Sequence, residues 1–148
     1  MRIYEYFTGP NVYSGDETVL GILSASGKIV RICEASITPG VFNNTSTVRY
    51  AAFRKVTTPV SLLTTLTGSK YCNDDATPSM TVGTLDSPTY TANTEICYEG
   101  FPDRGEWRYK PMPGRELYIV NGAQYGLYLY GTGTSSVYIV RLVLQEIL

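Results

Sequence analysis

The chain contains no histidine. Its absence removes Ser-His-Asp and Cys-His catalysis, histidine-bearing metal sites and the commonest general base at neutral pH. Two carboxylate pairs remain, Asp74 with Asp75 and Asp103 with Glu106. Either could in principle supply the acid and base of a glycosidase, which needs two carboxyl groups flanking one glycosidic bond. Both lie in Gly-, Pro- and Thr-rich segments, where neighbouring carboxylates ordinarily stand as solvated loop charges, and a calcium loop would alternate several oxygen ligands. Cys33, Cys72 and Cys97 form an odd set without a C-x-x-C pair, which argues against both a disulfide framework and a structural zinc site. Cys33 alternates with apolar residues and is expected in the core as a free thiol. Gly131-Thr132-Gly133 lacks the Lys-Ser or Lys-Thr and the helix of a phosphate loop and reads as a hairpin turn, while the glycosylation triplets in Asn43-Asn44-Thr45-Ser46 are of a kind frequent by chance. No catalytic, cofactor or metal site is expected.

Binding chemistry is better represented. Trp107 and Tyr109, flanked by Phe101, Arg104, Arg108 and Lys110, combine large rigid contact areas with the stacking and bidentate bonding of arginine. Together with Tyr71 and Tyr90 of the middle segment, Phe101, Trp107, Arg108 and Tyr109 form a candidate partner interface. The competing reading is that alternate members fill the core while Arg108 and Lys110 face solvent. A net charge of −1 offers no general attraction for phosphate backbones or anionic lipid, so neither nucleic acid nor membrane is an expected partner. No stretch approaches the roughly 20 apolar residues of a membrane span, and Met1 to Tyr6 lack the apolar centre of a secretion signal. The chain is therefore expected to be used as it stands, or to have had its signal removed.

These side chains need a scaffold, and the composition points to strands. Thirteen tyrosines and abundant Thr and Val favour a pleated, half-buried surface, and charged residues make up only 17% of the chain. At 148 residues, with no linker or repeat, the chain reads as one domain spanning residues 1–148. Residues 2–7 make a first strand, followed by the turn-rich Gly9-Pro10-Asn11 and Ser14-Gly15-Asp16. Residues 17–24 and 28–36 suit a short hairpin about Ala25-Ser26-Gly27, the second run setting Ile29, Arg31, Cys33 and Ala35 opposite Val30, Ile32 and Glu34. After Pro39-Gly40 and Asn43-Asn44, residues 47–55 set Val48, Tyr50 and Ala52 opposite Arg49, Ala51 and Phe53. Residues 56–93 hold one apolar piece, 60–66, that reads as a strand or a short helix, and then a long polar stretch with Pro78 and Pro88, either a place for partner contacts or a decorative surface loop. Residues 93–99, 106–110, 115–120, 125–130 and 136–147 are successive strands, with Asn121-Gly122 a hairpin signal and the last strand, apolar on both faces apart from Arg141, expected to be central and covered on both sides. Eight or nine short strands describe an all-β sandwich, with a jelly roll as first choice.

This pattern resembles the small jelly-roll structural proteins of tailed bacteriophages, the capsid decoration or cement proteins. The resemblance lies in the opening Arg2-Ile3-Tyr4, the runs 17–24 and 28–36, Thr38-Pro39-Gly40, the strand 48–54, the Thr- and Pro-rich middle, and the closing runs 115–120 and 137–146. It implies a virion subunit, made in the host cytoplasm, that sits on the outside of an icosahedral head. There it would contact major capsid protein and copies of itself and stabilise the shell. Two rivals stand beside it: a carbohydrate-binding or receptor-binding module built on exposed aromatics such as Trp107, and a β-sandwich glycosidase using the carboxylates above.

Overall fold

The computed structural model describes residues 2–40, 47–72, 75–131 and 135–147. Among them twelve strands and no helix are found: β1 (Ile3–Tyr13), β2 (Glu17–Leu23), β3 (Ile29–Pro39), β4 (Val48–Lys55), β5 (Leu62–Thr65), β6 (Ser69–Lys70), β7 (Thr81–Leu85), β8 (Ile96–Pro102), β9 (Trp107–Tyr109), β10 (Tyr118–Val120), β11 (Gln124–Tyr130) and β12 (Ser136–Ile147). All pair antiparallel. The first sheet runs β10-β3-β12-β1-β6, with β9 also on β3, and the second runs β5-β7-β2-β11-β4-β8.

Eight of these strands pair as one long ribbon: β1 with β12, β2 with β11, β3 with β9 and β4 with β8. Successive pairs alternate between the sheets, so the ribbon is rolled into a sandwich. This is the jelly roll, and it settles the fold expected from the strand pattern. The count of eight or nine holds for the roll alone. The other four strands, β5, β6, β7 and β10, widen it.

Alternation along each strand sends one set of side chains into the layer between the sheets. Tyr4 and Tyr6 of β1, Val30 and Ile32 of β3, and Tyr138, Val140, Leu142 and Leu144 of β12 meet Leu20, Ile22, Ala51, Phe53, Leu127 and Leu129 from the opposing sheet. The predicted facing of β3 holds only as far as Ile32. Val143 and Leu144 pair with Glu34 and Ile32, so Cys33 is an extra residue. This bulge reverses the alternation. Ala35 and Ile37 therefore join the core, Glu34 turns outward, and Cys33 is half-buried at the bulge instead of packed in the core.

β12 is central, flanked by β3 and β1, but its outer face is uncovered. There Arg141 bridges Glu5 (2.7 Å) and Glu34 (3.3 Å). The Tyr71 hydroxyl donates to the Glu5 carboxylate at 3.0 Å. This arginine holds the Glu5 carboxyl below its ordinary range, burial opposing.

Two turns have the expected backbone but join different partners. Gly27 (φ 73°), Asn121 (φ 49°) and Gly122 (φ 78°) all occupy the left-handed region that glycine and asparagine tolerate. Instead of closing hairpins, both turns cross between the sheets, from β2 to β3 and from β10 to β11. The two arches pack side by side, the Asn121 amide donating to the Lys28 carbonyl and the Ser24 amide to the Ala123 carbonyl. Gly9-Pro10-Asn11, expected as a turn, is an irregularity inside β1, which continues to Tyr13. The Asn43-Asn44 turn and the Thr132-Gly133 part of the glycine turn lie outside the described residues.

Within the segment 56–93 the apolar piece 60–66 contains a strand, β5, and the polar stretch after it is not a plain loop. Its β6 extends the first sheet on β1, while β7 and then β5 extend the second on β2. Met80, Val82 and Leu85 are buried. The segment is tied to the roll by the Tyr4 hydroxyl, which donates to the Ala76 carbonyl (2.6 Å). A second tie is the buried Glu146 carboxylate, which accepts from the Ser79 amide (2.9 Å), the Ser79 hydroxyl (2.7 Å) and the Met80 amide (3.0 Å).

Candidate binding surface

The outer face of the second sheet is paved with tyrosine. The alternation that sends Ala51 and Phe53 inward leaves Val48, Tyr50, Ala52 and Arg54 of β4 outward. On the neighbouring strand β11, Tyr130 stands directly across from Tyr50, Tyr128 from Ala52 and Gly126 from Arg54. Tyr98 of β8 completes one side, and Tyr90, from the segment between β7 and β8, completes the other.

The rings form a continuous file. Tyr50 stacks on Tyr98 (centroids 5.4 Å, 9° between planes), which meets Tyr130 edge-on at 5.2 Å. Tyr130 in turn contacts Tyr128 at 4.8 Å, and Tyr128 contacts Tyr90 at 5.4 Å. Two glycines let this file lie against the sheet: a side chain at Gly100 would strike the Tyr50 ring, and one at Gly126 the Tyr90 ring. The Tyr90 hydroxyl hydrogen-bonds the Thr18 hydroxyl.

Arg54 lies among the rings, its guanidinium carbon 4.7 Å from the centre of Tyr90, 5.0 Å from Tyr128 and 6.0 Å from Tyr130. Its other partner is the Glu95 carboxylate at 3.8 Å. Cation–π attraction thus fixes a charge between three aromatic faces. Burial pushes the Tyr90, Tyr128 and Tyr130 hydroxyls above the ordinary tyrosine range, with Arg54 pulling each back. Beside this cluster, Glu95, Tyr98 and Tyr130 line an open cleft of about 340 Å³. Tyr98 is 53% exposed and Tyr50 40%.

The residues expected at a partner interface separate. Phe101, Trp107 and Tyr109 are core residues, beyond the reach of a docking surface. Phe53 meets the Trp107 and Tyr109 rings edge-on at 5.9 and 5.4 Å. The Trp107 indole donates to the Cys97 carbonyl, and the Tyr109 hydroxyl accepts from the Leu117 amide. Arg108 faces solvent, 2.6 Å from Glu106. The competing reading of this segment, rings inward and charges outward, is the one realised, because three residues of a strand on a half-buried sheet must alternate. Tyr71 is exposed at the edge of the first sheet beside Glu5. Tyr90 alone of the six belongs to the tyrosine face.

The Asp103 and Glu106 pair is not assembled for hydrolysis. Asp103 is fully buried and accepts from the hydroxyls of Ser136 and Tyr138, whereas Glu106 is held by Arg108 at the surface. Asp74 and the Asn43–Ser46 triplets lie outside the described residues. Among the described residues, no group of three or more His, Cys, Asp or Glu gathers where it could hold a metal ion. No described helix is long and apolar enough to cross a membrane.

Arg49, unremarked in the sequence beyond its facing, is also fully buried. Its guanidinium donates to the carbonyls of Gly15 (3.0 Å), Tyr13 (3.3 Å) and Tyr130 (3.4 Å), locking the ends of β1 and β11 together. The signal was present, since Arg49 shares the facing of Ala51 and Phe53. No known protein family matches the chain, and neither does any curated protein or solved structure.

Proposed function

We propose that this protein is a virion structural subunit, a capsid decoration or cement protein that attaches to the outside of an icosahedral head. It contacts major capsid protein and copies of itself there. The observation that carries this reading is the distribution of exposed apolar side chains. Phe7 and Val12 stand on the outer face of the first sheet, Leu63 on the added edge strand β5, Tyr98 on the second sheet, and Tyr118 and Val120 on the far edge strand β10. A single exposed apolar side chain is ordinary on a soluble domain, whereas adjoining ones mark a contact surface, and they adjoin at two places here: Tyr118 with Val120 on β10, and Val48 with Tyr50 and Tyr98 on the second sheet. A subunit seated among several neighbours needs them on several sides, and this chain carries them on the outer faces of both sheets and on one edge strand of each.

The fold is compatible with this role without deciding it, because jelly rolls occur in both capsid and lectin domains. The separate engagement of Asp103 and Glu106 favours binding over glycoside hydrolysis. The test is mass spectrometry of purified virions from the phage that encodes the chain. A fixed stoichiometric ratio to major capsid protein supports the proposal; absence of the chain from intact heads refutes it.

A further inference from the structure

We propose that the tyrosine face of the second sheet binds a neutral pyranose, seated in the cleft formed by Glu95, Tyr98 and Tyr130. This goes beyond attachment to a shell and does not depend on it. A pyranose presents an apolar face of C–H bonds and a rim of hydroxyls. The cleft offers a counterpart for each: aromatic surface from Tyr98 and Tyr130, and a carboxylate from Glu95 whose Oε1 faces Arg54, leaving Oε2 as acceptor for ligand hydroxyls. At about 340 Å³ the cleft is at the small end of ligand sites and suits one or two sugar rings.

Its walls are already held in place. Tyr98 is braced on one face by the parallel Tyr50 ring and by a perpendicular contact with Tyr130, which is itself braced by Tyr128. Little side-chain freedom is lost when a ligand arrives. Charge sets the class of sugar. Arg54 is withdrawn among three rings, so the carboxylate that meets the ligand is Glu95, and it repels acidic sugars.

The experiment is an NMR titration of the full chain with neutral oligosaccharides of glucose, galactose and mannose, each up to about 10 mM, beside an oligogalacturonate of matched length. At least one neutral sugar should shift the Tyr98 and Tyr130 resonances. Tyr98→Ala should weaken that binding at least about tenfold, whereas Tyr98→Phe, which keeps the ring, should stay within about threefold. Glu95→Gln should weaken it by about tenfold and narrow the preference for neutral over acidic sugar. Tyr118→Ala, on an exposed tyrosine of the other sheet, should change nothing. Tyr98 is exposed, so its variants should fold, and unchanged strand content by circular dichroism checks this. Silence with every neutral sugar, equal binding of the galacturonate, or full binding by Tyr98→Ala overturns the proposal. Loss of shell attachment in Tyr98→Ala without any sugar binding would also overturn it and make this face a protein contact. Because the titration uses the isolated chain, failure of the decoration reading leaves it untouched.

Discussion

Replacing Glu146 tests whether the inserted strands are part of the roll or an accessory to it. Its carboxylate, 4% exposed, takes three hydrogen bonds from Ser79 and Met80. Arg2 stands 3.8 Å away. Hydrogen bonds to a charged group contribute about 1.5–3 kcal/mol each, so a simple sum over three for Glu146→Ala comes to about 4.5–9 kcal/mol. Ser79 is exposed, however, and water can take over its two bonds. The Met80 amide is buried and cannot be rescued so readily, which costs about 1–3 kcal/mol, and the emptied space beside it adds to this. A loss of about 3 kcal/mol is expected for Glu146→Ala. About half that is expected for Glu146→Gln, which keeps one acceptor oxygen. Equilibrium unfolding in guanidinium reads the loss, and hydrogen exchange should show residues 75–85 losing protection first. A Glu146→Ala protein within about 0.5 kcal/mol of the parent, with the insertion still protected, would refute the reasoning.

Trp107→Ala should lower stability by about 3–5 kcal/mol and Arg108→Ala by less than about 0.5 kcal/mol, since one is core and the other surface; equilibrium unfolding showing the reverse order would contradict the fold. Tyr138 has its hydroxyl pushed up to about 12, by burial first and by its bond to Asp103 next. Its neutral form is favoured in the fold, so stability should hold below the free tyrosine range near about 10 and fall as pH rises toward about 12. The guanidinium midpoint should follow that course, and Tyr138→Phe should make the decline shallower; an unchanged slope would remove Tyr138 as a contributor. Burial, aided by the Glu99 charge, pushes the Cys97 thiol up to about 11, while Cys72 is exposed. Alkylation at about pH 8 followed by peptide mass spectrometry should therefore find Cys72 modified before Cys97, and the opposite order would contradict the burial.

What was legible in the chain was what short-range physics controls. The facing of β4 could be read from Val48 to Phe53, the central place of β12 from its two apolar faces, and the left-handed turn at Asn121-Gly122 from its residue types. Pairing was less legible, because a turn fixes the backbone of a few residues but not the sheet the next strand joins. Both arches show this, as the strands they connect find partners far along the chain. The bulge at Cys33 shifted the facing of half of β3 without any composition signal. Residues 67–93 looked like a loop because β6 and β7 are short and polar at the edges of the sheets. Their ties, Glu146 to Ser79 and Tyr4 to Ala76, span more than 60 residues. The tyrosine face was hidden for the same reason: Tyr50, Tyr90, Tyr98, Tyr128 and Tyr130 come from four separate segments and meet through the β4–β11 and β4–β8 pairings and the bridge from Tyr90 to Val56.

A lattice-binding subunit gains from engaging several sites at once, because effective concentration multiplies affinity without new contacts. Co-sedimentation of the purified chain with assembled capsids, free capsid subunits and unrelated particles of similar size tests the decoration reading most directly. Recovery should be high with the cognate shells, far lower with free subunits and at background with unrelated particles. Equal recovery with all three, or none with the shells, would contradict it.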